Sequence, residues 1–306
     1  MNVVPSALSE AGAKLAPAKV NLALHITGRR PDGYHEIESL AVFTRFGDRI
    51  TAVPSEEDSL AVSGKYAGAV PVDGGNLIVK ARDALRQRFG DGNTPPVALV
   101  LEKNLPVASG VGGGSSDAAA TLRALASLWN LGVDEAVLAS IGLALGADVP
   151  MCLSAQPLVA RGIGERVETV PDFPSLGLVL VNPGVAVATA DIFVGLERRD
   201  NEKLPPLPPA IDFHSLRNWL EGTRNDLEPI ARKLQPEIGK ALAALRKADA
   251  GFARMSGSGA TCFGLFETGN VAKRAAAAIR SRHPDWFVAA TRSMASGTDA
   301  HGQANG

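Results

Sequence analysis

Apolar and polar residues interleave along this chain with two different periods, and segments of one kind follow segments of the other from end to end. Val97, Leu99 and Leu101 recur at every second position, the spacing of a half-buried strand. Leu77, Ala81, Leu85 and Phe89 recur at helical spacing and leave Lys80, Arg82, Arg86 and Arg88 on the outer face, which reads as solvated helix surface. Leu122, Leu125, Ala126 and Trp129 mark a second helix, with Ser115, Ser116 and Asp117 all able to cap its start. Asp134 opens a third, with Leu138, Ile141 and Leu145 on one face and Gly146 at its close. Strands are expected over 176–181, 262–266 and 286–291, and helices over 237–247 and 271–282. The Pro-rich stretch 204–209 can continue neither element and reads as a surface loop.

Composition narrows the class of protein. A hydrophobic fraction of 45% and a charged fraction of 21% over 306 residues describe a soluble globular chain with room for two cores. The formal net charge of −1 leaves no basic footprint for nucleic acid, and aromatics at 5% leave no stacking platform for single strands. Cys152 and Cys262 sit in apolar surroundings without ligand spacing and read as buried thiols in a reducing compartment. The first residues lack a basic n-region and are broken by Pro5 and Glu10, so no signal peptide is read there. No apolar run reaches the length of a membrane span, and a cytoplasmic protein is expected. The chain is expected to divide into lobes at 1–157 and 158–294, with a small polar tail over 295–306 expected to be disordered.

The candidate chemistry gathers in four segments. The first is Leu105-Pro-Val-Ala-Ser-Gly-Val-Gly-Gly-Gly-Ser-Ser-Asp117, between the strand at 97–101 and a helix. Its glycines let backbone N–H groups turn outward and let an anion approach unobstructed. The helix adds unpaired amides and the positive end of its dipole, which together suit phosphate. It is not a Walker loop, because Ser115 stands where a Lys must follow the last Gly, and the Rossmann spacing fails as well. The second, Met255-Ser-Gly-Ser-Gly-Ala-Thr261, is by itself as easily a tight turn; its likeness to the first loop favours the same cleft. The third runs from Lys19 and Asn21, which share a side of an extended chain, to the turn Arg29-Arg-Pro-Asp-Gly-Tyr-His35. The fourth places Asp148 past a helix end, before an X-Pro step expected to hold the backbone extended. Taken singly these read as a surface lysine, a packed loop and a turn aspartate.

Together, and in this order, the four segments resemble the motifs of the GHMP small-molecule kinases. The resemblance runs from about residue 16 to residue 292 and takes in Gly74-Gly-Asn-Leu-Ile78, Gly162-Ile-Gly-Glu165 and Asn225-Asp-Leu-Glu-Pro229. It implies an α+β, two-lobed GHMP kinase fold, with an N-terminal lobe like ribosomal protein S5 domain 2, a C-terminal ferredoxin-like lobe, and ATP and acceptor in the cleft between them. It implies that Pro106, Val107, Ala108, Ser109, Gly110, Val111, Gly112, Gly113, Gly114, Ser115 and Ser116 wrap the ATP phosphates. Ala108 and Ser109 stand where relatives often carry glycine, and Val111 where they carry leucine. Lys19 and Asp148 match the catalytic pair. Asn21, Tyr34, His35, Thr189 and Phe193 match acceptor-holding residues, Tyr34 and Phe193 on either side of a cytosine, with Gly257, Ser258 and Gly259 close by.

The Asp-Gly-Tyr-His turn together with Gly-Ala-Asp-Val-Pro narrows the implied acceptor to a cytidine diphosphate derivative of methylerythritol, phosphorylated on its 2-hydroxyl. The implied cofactors are ATP and Mg2+, without a metal site of the protein's own. No nucleic-acid or membrane partner is expected, and the chain is expected to be a monomer or weak homodimer. A homoserine- or mevalonate-type kinase would share the glycine loop, but the Tyr34-His35 turn speaks against both. Intact Lys19 and Asp148 speak against a ligand sensor that has lost catalysis.

Overall fold

Residues 13–297 are described by the computed structural model, in two sheets that share one seam of apolar side chains. The first sheet holds β1 (Lys14–Arg29), β2 (His35–Pro54), β3 (Ser59–Ser63), β4 (Val97–Glu102), β5 (Leu158–Gly162) and β6 (Arg166–Thr169). β1 and β2 form a long antiparallel hairpin whose register shifts at Pro17/Lys19, Asn21/Ala23 and Ile26/Gly28. Bulges re-aim side chains, and here two of them bracket the Lys19–Asn21 stretch. β4 pairs with β2 antiparallel and with β3 parallel.

Four helices cover this sheet: α1 (Leu77–Phe89), α2 (Gly113–Leu128), α3 (Glu135–Leu145) and α4 (Val149–Ser154). Leu85, Leu122, Leu125 and Leu138 from the helices meet Ile50, Leu99 and Leu101 from the strands in one core. Local signals set the helix ends. Asn76 accepts a bond from the Ile78 amide to start α1, and Asp134 accepts one from Val137 to start α3. Ser115, Ser116 and Asp117 do not cap α2: its cap position is Gly112, in the left-handed region, and all three lie inside the helix. The expected extended step at Pro150 is also replaced by helix, since Pro in the first turn has no N–H to lose there and Asp148 takes the cap position of α4.

The second sheet runs β10–β7–β9–β8, antiparallel throughout, from β7 (Gly177–Asn182), β8 (Phe252–Met255), β9 (Cys262–Phe266) and β10 (Phe287–Arg292). Its helices are α5 (Thr189–Val194), α6 (Phe213–Glu221), α7 (Glu228–Leu234), α8 (Glu237–Lys247) and α9 (Gly269–Arg282). Helical crossings before β8 and after β9 give the ferredoxin-like order. Along β7, Val179 and Val181 face the helices while Leu178 and Leu180 face the other way, onto Val20, Leu22, Leu40 and Val42 of the first sheet. A strand buried on both faces reads as a continuous apolar run, which is how residues 176–181 look.

The expected division at 157/158 lies just before β5. β5 and β6 pair back through Leu40↔Val159 and Val159↔Glu168 into the first sheet, and the second sheet opens only at Gly177. Of the tail expected to be disordered, Ser296 bonds to Phe173 and Val170; residues 298–306 lie outside the described residues. The Pro-rich stretch does run over the surface, but Leu204 and Leu207 pack on the shared seam and the Leu204 amide donates to Glu38 at 2.9 Å. Both cysteines are free and buried.

Candidate active site

The glycine loop leaves β4, turns over the end of β1 and enters α2. At Gly110 the backbone has φ +76°, and an added Cβ would lie 2.5 Å from the Ser256 carbonyl oxygen and 2.6 Å from the Gly259 amide. Only glycine lets the two small-residue loops approach this closely. Ser256 Oγ donates to Gly110 O at 2.9 Å and the Thr261 amide donates to Ser109 O at 3.0 Å, so the loops are laced together. Asn225 holds the second loop from behind, donating to Met255 O and Gly257 O at 2.9 and 2.8 Å. The first helical bond of α2 runs from the Ser116 amide to Gly112 O, 2.8 Å. The amides of Gly113, Gly114 and Ser115 therefore have no carbonyl a turn behind them, and these residues line an open cleft of about 1070 Å³.

Lys19 and Asp148 meet on the wall of that cleft. The Lys19 ammonium lies 2.6 Å from Asp148 Oδ2, with side-chain exposures of 5% and 39%. β1 delivers the lysine; its own amide donates to Val111 O at 2.9 Å, which ties the strand to the glycine loop. An added Cβ on Gly112 would meet the lysine stem at 3.2 Å, so the ammonium stands beside the start of α2. Asp148 makes no side-chain capping bond in α4, and its carboxylate is left for Lys19 and the cleft.

The cleft is also lined by Asn21, Arg29, Asp32, Tyr34, His35, Thr189, Phe193, Arg199 and Ser258, with Asn21 beside the second loop, its amide donating to Ser256 Oγ at 3.1 Å. Asn21 Nδ2 donates to Ser39, while its Oδ1 is buried without a partner; His35 Nε2 is likewise buried and unpartnered. Buried polar atoms normally find partners, and both orphans belong to residues that line the cleft. Burial first, then the Arg199 and Arg29 guanidinium groups, hold the His35 imidazole below its usual titration range and keep it neutral at physiological pH. Thr189 Oγ1 and Ser258 Oγ are 2.9 Å apart and join α5 to the second loop.

Most residues singled out in the sequence come together on this cleft, and a few do not. Val111 is buried in the seam between the sheets, and Ser116 is buried with its hydroxyl donating to Pro17 O at 2.7 Å. Pro106 and Gly259 also lie behind the lining, Pro106 accepting from Ser109 Oγ and Gly259 packed on Met255. Phe193 stacks on His35, ring centroids 4.8 Å apart, and Tyr34, on the same cleft, is 60% exposed. Arg29 at the end of β1 and Asp32 in the turn after it lie in a segment the sequence singled out, though neither was named as a site residue, and Arg199, among charged neighbours in a loop, was not anticipated.

Comparison with known proteins adds an independent line. Residues 76–156 match the family model for GHMP kinases N terminal domain, and residues 209–285 that for GHMP kinases C terminal. The chain is 73% identical over 281 residues to a 4-diphosphocytidyl-2-C-methyl-D-erythritol kinase of Mesorhizobium japonicum, covering 92% of this chain and 95% of that one. It is 52% identical over 282 residues to the protein of the same name from a Chelativorans strain, covering 92% and 96%. Among solved structures, a 4-(cytidine 5'-diphospho)-2C-methyl-D-erythritol kinase superposes with TM-score 0.73 at 33% identity, over 92% of this chain and 98% of that one.

Proposed function

Because the chain belongs to the GHMP kinase family, in the branch of the 4-diphosphocytidyl-2-C-methyl-D-erythritol kinases, we propose that it moves the γ-phosphoryl group of ATP to the 2-hydroxyl of that cytidine diphosphate derivative, a step of the non-mevalonate route to isoprenoid precursors. The observation that carries the residue assignment is the 2.6 Å Lys19–Asp148 pair on the same cleft as the unpaired amides of α2.

Phosphoryl transfer asks the protein for positioning and for stabilisation of charge, with little covalent work. The amides of Gly113, Gly114 and Ser115 and the N-terminus of α2 cradle the phosphates of ATP. Asp148 accepts the proton of the 2-hydroxyl as that oxygen forms its bond to the γ-phosphorus, and ADP leaves with the bridging oxygen's electrons. Lys19 orients the hydroxyl and steadies the charge that develops on its oxygen. At the other end His35 offers its unpartnered nitrogen to the cytosine edge, Tyr34 and Phe193 supply apolar faces for the ring, and Asn21 meets the acceptor beside the second loop.

Magnesium enters as part of the nucleotide substrate, on the β- and γ-phosphate oxygens. Among the described residues no three His, Cys, Asp or Glu side chains cluster to hold a metal, and Asp148 is already engaged by Lys19. We place the reaction in the cytoplasm, where two free buried thiols stay reduced.

The test is ADP release from ATP over a panel of acceptors. The cytidylyl methylerythritol should be turned over, with homoserine and mevalonate inert; turnover of either of those in its place would overturn the acceptor assignment.

A further inference from the structure

Three charges lie buried beneath the glycine loop. The Lys103 ammonium is 2.6 Å from Asp48 Oδ2 and 2.7 Å from Asp117 Oδ2, and none of the three side chains is more than 5% exposed. Each comes from a different element: Asp48 from β2, Lys103 from the residue after β4, Asp117 from the start of α2. The second oxygen of Asp48 accepts from the amides of Asn104 and Leu105 at 2.6 and 2.8 Å, where the loop begins. Lys103 and Asp117 are 14 residues apart, and their bond closes the base of the loop. The ammonium also lies directly under the cradle, since an added Cβ on Gly113 would sit 3.2 Å from Lys103 Nζ.

We infer that Lys103, gripped by Asp48 and Asp117, is a positioning residue that holds the two ends of the glycine loop at the separation the phosphate cradle needs, an inference that rests on reading the loop as that cradle. Burying three charges is a weak route to stability, because desolvation offsets most of the attraction and apolar replacements of similar volume often do as well. What the triad supplies instead is direction. Two carboxylates on one ammonium fix the exit of β4 against the first turns of α2, and the Asp48 bonds fix where the chain departs. The amides that meet phosphate are then set before ATP arrives, and less ordering remains for binding to supply. The acceptor-end residues Asn21, His35 and Phe193 make no contact with the triad among the bonds and ring contacts of the described residues.

The clamp is tested by Asp117→Leu and Asp117→Asn in the full chain, with Michaelis constants measured for ATP and for the cytidylyl acceptor. Asp117→Leu leaves a neutral Lys103–Asp48 pair but cuts the tie to α2. It should raise the constant for ATP roughly tenfold or more and leave that for the acceptor within about twofold. Asp117→Asn keeps an oxygen for Lys103 and should restore the ATP constant to within about threefold of the parent. An unchanged ATP constant in Asp117→Leu, equal rises for both substrates, or an Asn variant as impaired as the Leu variant would overturn the inference. A parent protein with no saturable dependence on ATP would instead overturn the reading of the loop, and the clamp with it.

Discussion

At one end of the cleft the binding groups are the backbone amides of Gly113, Gly114 and Ser115; at the other they are the side chains of Tyr34, His35 and Phe193. The phosphate end is laced to a second loop by backbone and serine bonds and stands on a buried ion triad. The opposite end keeps an unpartnered imidazole nitrogen, a stacked imidazole–phenyl pair and a tyrosine that is mostly exposed. A phosphate tail is the same in every nucleoside triphosphate, so a rigid set of amides can be prepared for it. A base must be told from other bases, and side chains with unfilled hydrogen-bonding capacity do that. One end is finished before its ligand arrives, and the other is completed by it.

Between the two ends, Asp148→Asn gives the largest expected effect. It should lower kcat by ~10²–10⁴-fold while leaving both Michaelis constants near the parent values, as general-base loss does. Turnover close to the parent would remove Asp148 from the chemistry. Gly110→Ala probes the prepared end: the left-handed backbone and the 2.5 Å approach to Ser256 should together lower unfolding stability by about 2–4 kcal/mol and weaken ATP binding. A fully stable variant with parent ATP affinity would break the contrast.

Tyr34→Ala probes the open end. A base–aromatic stack is worth ~1–3 kcal/mol, so the acceptor constant should rise roughly tenfold with that for ATP unchanged. Equal loss for both substrates would take Tyr34 out of the pocket.

Local signals carried much of this architecture. The helix of residues 77–89, the strand beginning at Val97 and the Asp134-to-Gly146 helix each announce themselves by period and cap. The pairing of β5 with β2 was hidden, because β2 lies far back in the chain and nothing near residue 158 points to it. Lys19 and Asp148 stand 129 positions apart, and only the resemblance to a kinase family paired them. Within the glycine loop the sequence does not tell which residues face inward; Val111 and Ser116 look like their neighbours and are buried. The ion triad escaped notice for a similar reason. Asp117 reads as a helix cap, Asp48 and Lys103 belong to no motif of the sequence, and only the fold turns all three to one point.

The central claim is that the Lys19–Asp148 couple readies one particular hydroxyl beside the phosphate cradle. Incubation with ATP and the cytidylyl methylerythritol, followed by phosphorus and carbon NMR of the product, tests it directly. A single new phosphomonoester on the 2-oxygen, formed with an equal amount of ADP and absent with Asp148→Asn, is the predicted result. Phosphate on another hydroxyl, or an undiminished product with the Asn variant, would contradict it.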